Sequence, residues 1–428
     1  MPRLLVIADD LSGATDVGVQ FAKRGIRAFV TIQSTTAPSN LVGHFASHEV
    51  VLIDIESRHV SPGEAARRVT RIVETARPVG VDFFYKKTDS TLRGNVGAEL
   101  EALLNASGGR TLCFVPAHPA LGRTTRDGVQ FVHDKPLHES AFAVDPRSPV
   151  GESGVAAILA RQANAPITTI RQNELSAFVR NPPAGLVVFD AETEADVRRA
   201  AEAIEEAECL TVLAGPAAFA SCLPDLIPFT RGTATRPCIP PRLLVVNGSL
   251  NEVTLRQCAT AREHGFASVS LTPLALLAED ASGENARTTI IQETVSLLAG
   301  GRDVVLQSVR HRDECARFNR AAECVSPDTK DWPERIALNT GRMVAEVLSL
   351  RRAANELSRQ GLTLVVFGGD TLVGIARANG WESFEPRDEL LRGVALCEIP
   401  VTDLALVSKP GGFGDDDVLL KLRDAIGQ

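Results

Sequence analysis

The chain has 428 residues, too many for one compact core, so two or three domains are expected. Its 45 Lys and Arg against 53 Asp and Glu give a formal net charge of -8, which argues against a nucleic-acid surface, since such surfaces cluster positive charge. Eight cysteines form no C-x-x-C pair and no zinc-finger spacing with histidine, so buried, reduced thiols are expected.

In chain order, the first apolar run is 4–8. It is too short for a signal-peptide core, and acidic residues follow at once. No stretch reaches the roughly eighteen apolar residues of a membrane span, so a cytoplasmic protein with no membrane partner is expected. Further runs lie at 28–32, 50–53, 83–85, 112–115, 185–189, 210–214, 243–246, 304–307 and 364–367. Continuous apolar runs of this length suit strands covered on both faces. Between them, 63–75, 96–104 and 331–356 place apolar residues at helical spacing. The fold class is therefore α/β, with two domains, each a mostly parallel sheet flanked by helices. The proline-rich stretch 228–241 reads as the boundary, dividing the chain into 1–230 and 242–428. No internal repeat is evident.

The turn after the first strand, Ala8-Asp9-Asp10-Leu11-Ser12-Gly13-Ala14-Thr15-Asp16, places several carboxylates at a strand's C-terminal end, where open α/β sheets bind ligands. Asp9, Asp10 and Asp16 suit either proton acceptance from a hydroxyl or coordination of a divalent cation. Ser12 or Asp10 serves equally as a plain helix cap. The segment Lys86-Lys87-Thr88-Asp89-Ser90-Thr91-Leu92-Arg93-Gly94-Asn95 follows the next candidate strand end. Arg93 offers a planar fork for a carboxylate, and Asp89, Ser90 and Thr91 can bond sugar-like hydroxyls. The bland alternative is a polar loop in which Asn95 caps the next helix. A third loop, 122–128, carries Arg123 as a second carboxylate candidate; His118 just before it reads more as structural than as acid-base.

The second half holds three glycine turns after strands: Gly248-Ser249, Gly368-Gly369-Asp370-Thr371, and Lys409-Pro410-Gly411-Gly412-Phe413-Gly414. Glycine lets backbone N–H groups approach phosphate oxygens, and a helix N-terminus favours negative charge. Lys409 is expected to add a cation. No Walker loop and no G-x-G-x-x-G occurs, which weighs against a dehydrogenase.

Together these motifs resemble the four-carbon acid sugar kinase family over nearly the whole chain. The matching elements are 8–16, 86–97, 122–125, 248–249, 368–371 and 409–414. The resemblance implies an N-terminal acid-sugar-binding domain and a C-terminal ATP-binding domain that transfers the γ-phosphate to a terminal hydroxyl. It places ATP on Gly248, Ser249, Gly368, Gly369, Asp370, Thr371, Lys409, Gly411, Gly412 and Gly414. The acid falls to Asp9, Asp10, Ser12, Asp16, Arg58, Lys86, Lys87, Asp89, Ser90, Arg93 and Arg123. Arg93, helped by Arg58 or Arg123, is the expected carboxylate clamp; Asp10, ahead of Asp89, is the expected base. Mg²⁺ is implied with ATP, its ligands unassigned, and domain closure is expected. The Leu92-Arg93 pair favours threonate, with erythronate and 3-oxo-tetronate as alternatives and a non-catalytic sensor as a rival class. The resemblance mildly favours a homodimer. Asn247 and Thr402-Asp403-Leu404 depart from the family pattern.

Overall fold

The computed structural model describes residues 3–32, 40–145, 147–233, 239–353, 361–400 and 402–426. The chain divides into two compact units, 1–234 and 235–428. Part of the proline-rich boundary, 234–238 with Cys238, lies outside the described residues, as do 354–356 of the expected helix 331–356, which is seen as Trp332–Ala353.

Unit 1 is built on β1 (Leu4–Ala8), β2 (Ala28–Ile32), β3 (Val50–Asp54), β4 (Phe83–Lys87), β5 (Thr111–Phe114), β9 (Ile167–Ile170), β10 (Gly185–Phe189) and β11 (Val212–Gly215). Their order is β2-β3-β1-β4-β11-β5-β10-β9, and the pairings among them are parallel. The strands β1, β2, β3 and β10 are buried at every residue, as a sheet with helices on both faces requires. The helices Pro62–Ala76 and Val96–Ser107 pack Val69, Ile72, Val73, Leu100 and Leu103 against Leu5, Ile7, Val51 and Ile53 on one face. The loop expected at 122–128 is instead β6 (Arg123–Arg126), which forms an antiparallel meander with β7 (Val129–Val132) and β8 (Lys135–Pro136).

Between β1 and β4 the direction of chain progress across the sheet reverses. From β1 the chain crosses towards β3 and β2; from β4 it crosses the other way. The crevice outside the C-terminal ends of β1 and β4 is therefore a topological switch point, where doubly wound sheets bind ligands.

Unit 2 repeats the scheme with β12 (Leu243–Asn247), β13 (Ala267–Ser270), β14 (Val304–Gln307), β15 (Thr363–Phe367), β16 (Ser383–Leu391), β17 (Val394–Glu398) and β18 (Ala405–Lys409). The order is β13-β14-β12-β15-β18-β17-β16. Here β17 runs antiparallel to both β18 and β16. Each sheet thus begins with its first four strands in the order second, third, first, fourth, and the switch point of unit 2 lies between β12 and β15. The turn Thr402-Asp403-Leu404 is shaped by the Thr402 hydroxyl, which accepts the Leu404 N–H at 3.2 Å, so glycine is not needed there.

The helix Gly369–Asn379, which starts at the β15 turn, packs on Trp332–Ala353 with backbone against backbone. A side chain at Gly341 would overlap the backbone of Gly374, and one at Gly374 would overlap Ala337. Seven described cysteines are free; Cys113, Cys222, Cys258 and Cys397 are buried as expected, whereas Cys324 is exposed and Cys209 and Cys315 are intermediate. No described helix is long and apolar enough to cross a membrane.

Gly374→Val should cost about 2–3 kcal/mol by overpacking and lower the melting midpoint of unit 2 by roughly 5–10 °C. Calorimetry checks this; an unchanged midpoint would contradict the backbone contact.

Candidate active site

At the unit 1 switch point, Asp9 and Asp10 leave the end of β1. Asp10 is the N-cap of the helix Leu11–Ala22; its carboxylate accepts the Gly13 N–H at 3.1 Å and the Ser12 hydroxyl at 2.7 Å. Arg58, beyond the end of β3, donates Nε to Asp9 at 2.7 Å and lies 2.9 Å from Asp10 and 3.9 Å from Asp89. One guanidinium thus ties carboxylates from two strand ends. Burial pushes the Asp10 carboxyl up, but Arg58 and then Lys87 outweigh it, and the net shift is downward. Lys87 Nζ reaches over Gly13, where a side chain would meet it at 2.9 Å, and donates to the Thr88 carbonyl.

Asp89 is gripped harder. Arg93 donates Nε and Nη2 to its two oxygens, both at 2.9 Å, and Thr91 donates through its backbone and its hydroxyl. Burial raises this carboxyl, yet Arg93 and Arg58 hold it well below the usual carboxylate range. The loop pays in backbone strain: Leu92 sits at φ 57°, a region that a branched side chain adopts rarely. Ser90 is anchored through its carbonyl, which accepts Gln130 Nε2 at 3.0 Å from the meander.

Arg123 sits at the start of β6, buried, and donates to the Leu121 carbonyl. Burial pulls its pKa down to about 10, with Asp89 opposing and Arg93 adding to the fall. The guanidinium carbons of Arg93 and Arg123 lie 5.2 and 5.9 Å from the centroid of the Phe142 ring. Arg93 also reaches Asp145 at 3.2 Å, and Ser148 Oγ lies 3.1 Å from His59 Nδ1. Phe142 and Asp145 thus form a wall beside the two arginines. Nothing local in the sequence marks them; only the fold brings them there. His118 is adjacent, its backbone paired with that of Arg123.

Three sequence expectations change. Lys86 does not face the crevice. The strand β4 runs through it, and its buried Nζ pairs with Glu99 at 3.2 Å. Burial pushes the Glu99 carboxyl up, and Lys86 opposes without cancelling; Ser57 donates its hydroxyl to the same carboxylate. Asn95 makes no side-chain cap bond. Its amide donates instead to the carbonyls of Ser57 and Val60 at 2.8 and 2.9 Å, bracing the loop that carries Arg58. Asp16 lies inside its helix, about 9 Å along the axis from Asp10 at 1.5 Å per residue, and its charge acts on Tyr85. The other predicted residues gather here, and two buried polar atoms, Asp9 Oδ1 and Thr88 Oγ1, have no hydrogen-bond partner among the described residues.

In unit 2 the three glycine turns converge at its switch point. Asn247 accepts the Ser249 N–H at 2.9 Å through its side chain, an Asx turn that explains its departure from the family pattern. A side chain at Gly248 would strike Thr371, and one at Gly411 would strike Ser249. Gly368, at φ 109°, precedes the helix carrying Gly369, Asp370 and Thr371. Lys409 differs from expectation: it is fully buried, over the Phe367 ring at 4.5 Å, with Nζ donating to the carbonyls of Pro410 and Phe413. Among the described residues no group of three or more His, Cys, Asp or Glu could hold a metal ion.

An ion-paired, hydroxyl-lined crevice in one unit and interlocked glycine turns in the other are the features of an α/β enzyme of two domains. Two family models cover the chain: a sugar-binding N-terminal domain over residues 4–223 and a nucleotide-binding C-terminal domain over 244–419. The chain belongs to the four-carbon acid sugar kinase family. It is similar to the D-threonate kinase of Salmonella typhimurium, at 30% identity over 97% of this chain and 96% of the relative. The D-erythronate kinase of Heliobacterium modesticaldum is 28% identical, covering 97% and 95%. The 3-oxo-tetronate kinase of Cupriavidus necator is 27% identical with the same coverage, 97% and 95%. Solved structures of a Salmonella typhimurium LT2 protein and of Haemophilus influenzae protein HI1011 share the fold, with TM-scores of 0.76 and 0.67 at 20% identity; each covers 98% of this chain, and 98% and 99% of their own are covered.

Asp89→Asn should destabilise the chain by on the order of 3 kcal/mol at pH 7, because two arginines lose a partly buried partner. A carboxyl depressed in the fold contributes stability above its unfolded pKa of about 4, lost as pH falls through the folded value. Urea unfolding between pH 5 and 3 should therefore show the wild type weakening more steeply than the variant; parallel curves would refute the assignment.

Proposed function

We propose that the chain is an ATP-dependent kinase that phosphorylates the terminal hydroxyl of a four-carbon sugar acid, with D-threonate the first choice of acceptor. The observation that carries this reading is the meeting of Arg93 and Arg123 with Asp10 and Asp89 at the unit 1 switch point. Residues 1–230 serve the acid and 242–428 serve ATP. The threonate choice is supported by the 30% identity to a D-threonate kinase, against 28% and 27% for the erythronate and oxo-tetronate enzymes.

Arg93 and Arg123 take the acid's carboxylate, which displaces Asp145 from Arg93. Phe142 supplies the flat wall beside both guanidiniums. Thr88, Ser90 and Lys87 face the acid's hydroxyls, and Thr88 Oγ1 and Asp9 Oδ1 gain the partners they lack. Asp10 accepts the proton of the attacking hydroxyl. Arg93 occupies both oxygens of Asp89, which makes Asp10 the better base of the two. Arg58 and Ser12 position Asp10 rather than touch the acid.

The Ser249 hydroxyl and the backbone N–H groups of Gly369, Asp370 and Thr371 and of Gly411 and Gly414 receive the phosphates of ATP. Asp370, at the start of the helix after β15, would hold Mg²⁺ together with the phosphates, and the ion would supply neutralisation of phosphate charge.

ADP release measured over threonates, erythronates and 3-oxo-tetronates tests the reading, with D-threonate expected to give the highest kcat/KM. Preference for another acid reassigns the acceptor, and ATP binding without ADP release on any acid overturns the kinase in favour of a sensor. Asp10→Asn should lower kcat about a hundredfold or more. Arg123→Met should raise KM for the acid roughly tenfold or more with a smaller change in kcat, as loss of a charge-assisted bond does; an unchanged KM would exclude Arg123 from the clamp.

A further inference from the structure

The turn at 410–415 has an unusual inside. Lys409 Nζ donates to the carbonyls of Pro410 and Phe413, each at 2.9 Å. Gln257, on the helix Glu252–Glu263, turns its side-chain Nε2 to the carbonyls of Phe413, Gly414 and Asp415 at 2.7, 3.0 and 3.0 Å. Both side chains are fully buried. Thr254 on the same helix accepts the Gly412 N–H at 3.3 Å through its hydroxyl. Gly412 and Gly414, at φ 76° and 82°, let the chain bend enough to present these carbonyls to one side.

A trans peptide unit is planar, with its N–H pointing opposite to its C=O. Pulling the carbonyls of Pro410, Phe413, Gly414 and Asp415 inward therefore turns the N–H groups of Gly411, Gly414, Asp415 and Asp416 outward. Successive outward amides in a glycine turn make a concave anion receptor. This turn abuts Ser249, since a side chain at Gly411 would strike its hydroxyl.

We infer that Lys409 and Gln257 form an internal clasp on the carbonyls of the 410–415 turn, and that both are positioning residues that serve nucleotide binding through the amides they orient, without touching the nucleotide. Gln257 has no sequence motif to mark it. Lys409 acts here as a buried donor, not as a phosphate cation. The clasp rests on the kinase reading for its purpose, and the following experiment separates the two.

Steady-state constants are measured on the full chain for Lys409→Met, Gln257→Leu, the double variant and Thr254→Val. Each of the first two should raise KM for ATP about tenfold, the scale of one or two lost hydrogen bonds, with kcat at saturating ATP and KM for the acid changing far less. Because both residues hold one turn, the double variant should resemble the worse single variant rather than the product of the two. A direct phosphate contact by Lys409 predicts instead that Gln257→Leu binds ATP normally and that the effects multiply, which would overturn the clasp. Should Gln257→Leu fail to fold, Thr254→Val, which loses only the Gly412 contact, should still raise KM for ATP roughly threefold; no change there would also overturn it. A wild type that releases no ADP with any acid ends the kinase reading alone. Calorimetric ATP titration of the same variants then decides the clasp, with equal affinities counting against it.

Discussion

The Arg58 guanidinium holds the unit 1 crevice together. Asp9, Asp10 and Asp89 bring three negative charges to two neighbouring strand ends, and without a cation between them the buried carboxylates would repel or protonate. Arg58 meets Asp9 and Asp10 within 3 Å and stands 3.9 Å from Asp89. Its own loop is braced from below, since Asn95 holds the carbonyls of Ser57 and Val60 while the Ser57 hydroxyl joins the buried Lys86–Glu99 pair. Breaking one partner of such a network leaves the others charged and dry, a costlier state than the loss of a surface pair.

The two switch points solve different chemical problems on one strand order. The unit 1 crevice uses side-chain charge: aspartates and arginines pair with one another, so the carboxylate proposed to bind there would exchange partners rather than enter an uncompensated field. The unit 2 turns use backbone. Glycine turns allow amides to come close to phosphate oxygens, and the side chains around them, Asn247, Lys409 and Gln257, spend their hydrogen bonds on shaping the turns.

Strands buried on both faces were legible because covered parallel strands are apolar throughout, and the glycine turns and acidic turn were legible because special backbone needs special residues. The meander at 123–136 was not, since Arg-Thr-Thr-Arg has the polarity of a loop; its strands pack on one face only. Lys86 was misjudged because β4 extends two residues past its apolar run, and the charge that draws Lys86 inward stands on a separate helix. Glu99, buried on the apolar helix 96–104 where Glu101 is not, is the partner that only the fold reveals. Phe142 and Asp145 carried none: they are ordinary residues placed by the tertiary fold, more than forty positions from Arg93 in sequence.

The interlock of the glycine turns has an evolutionary consequence. Gly248 abuts Thr371, and Gly411 abuts Ser249, so the obstacle to enlarging either glycine is a residue of a neighbouring turn. No single substitution at these positions can be absorbed by repacking within its own loop. Change at one turn requires compensating change at another, and descendants of this fold should drift here in pairs, while the rims around the turns vary one residue at a time.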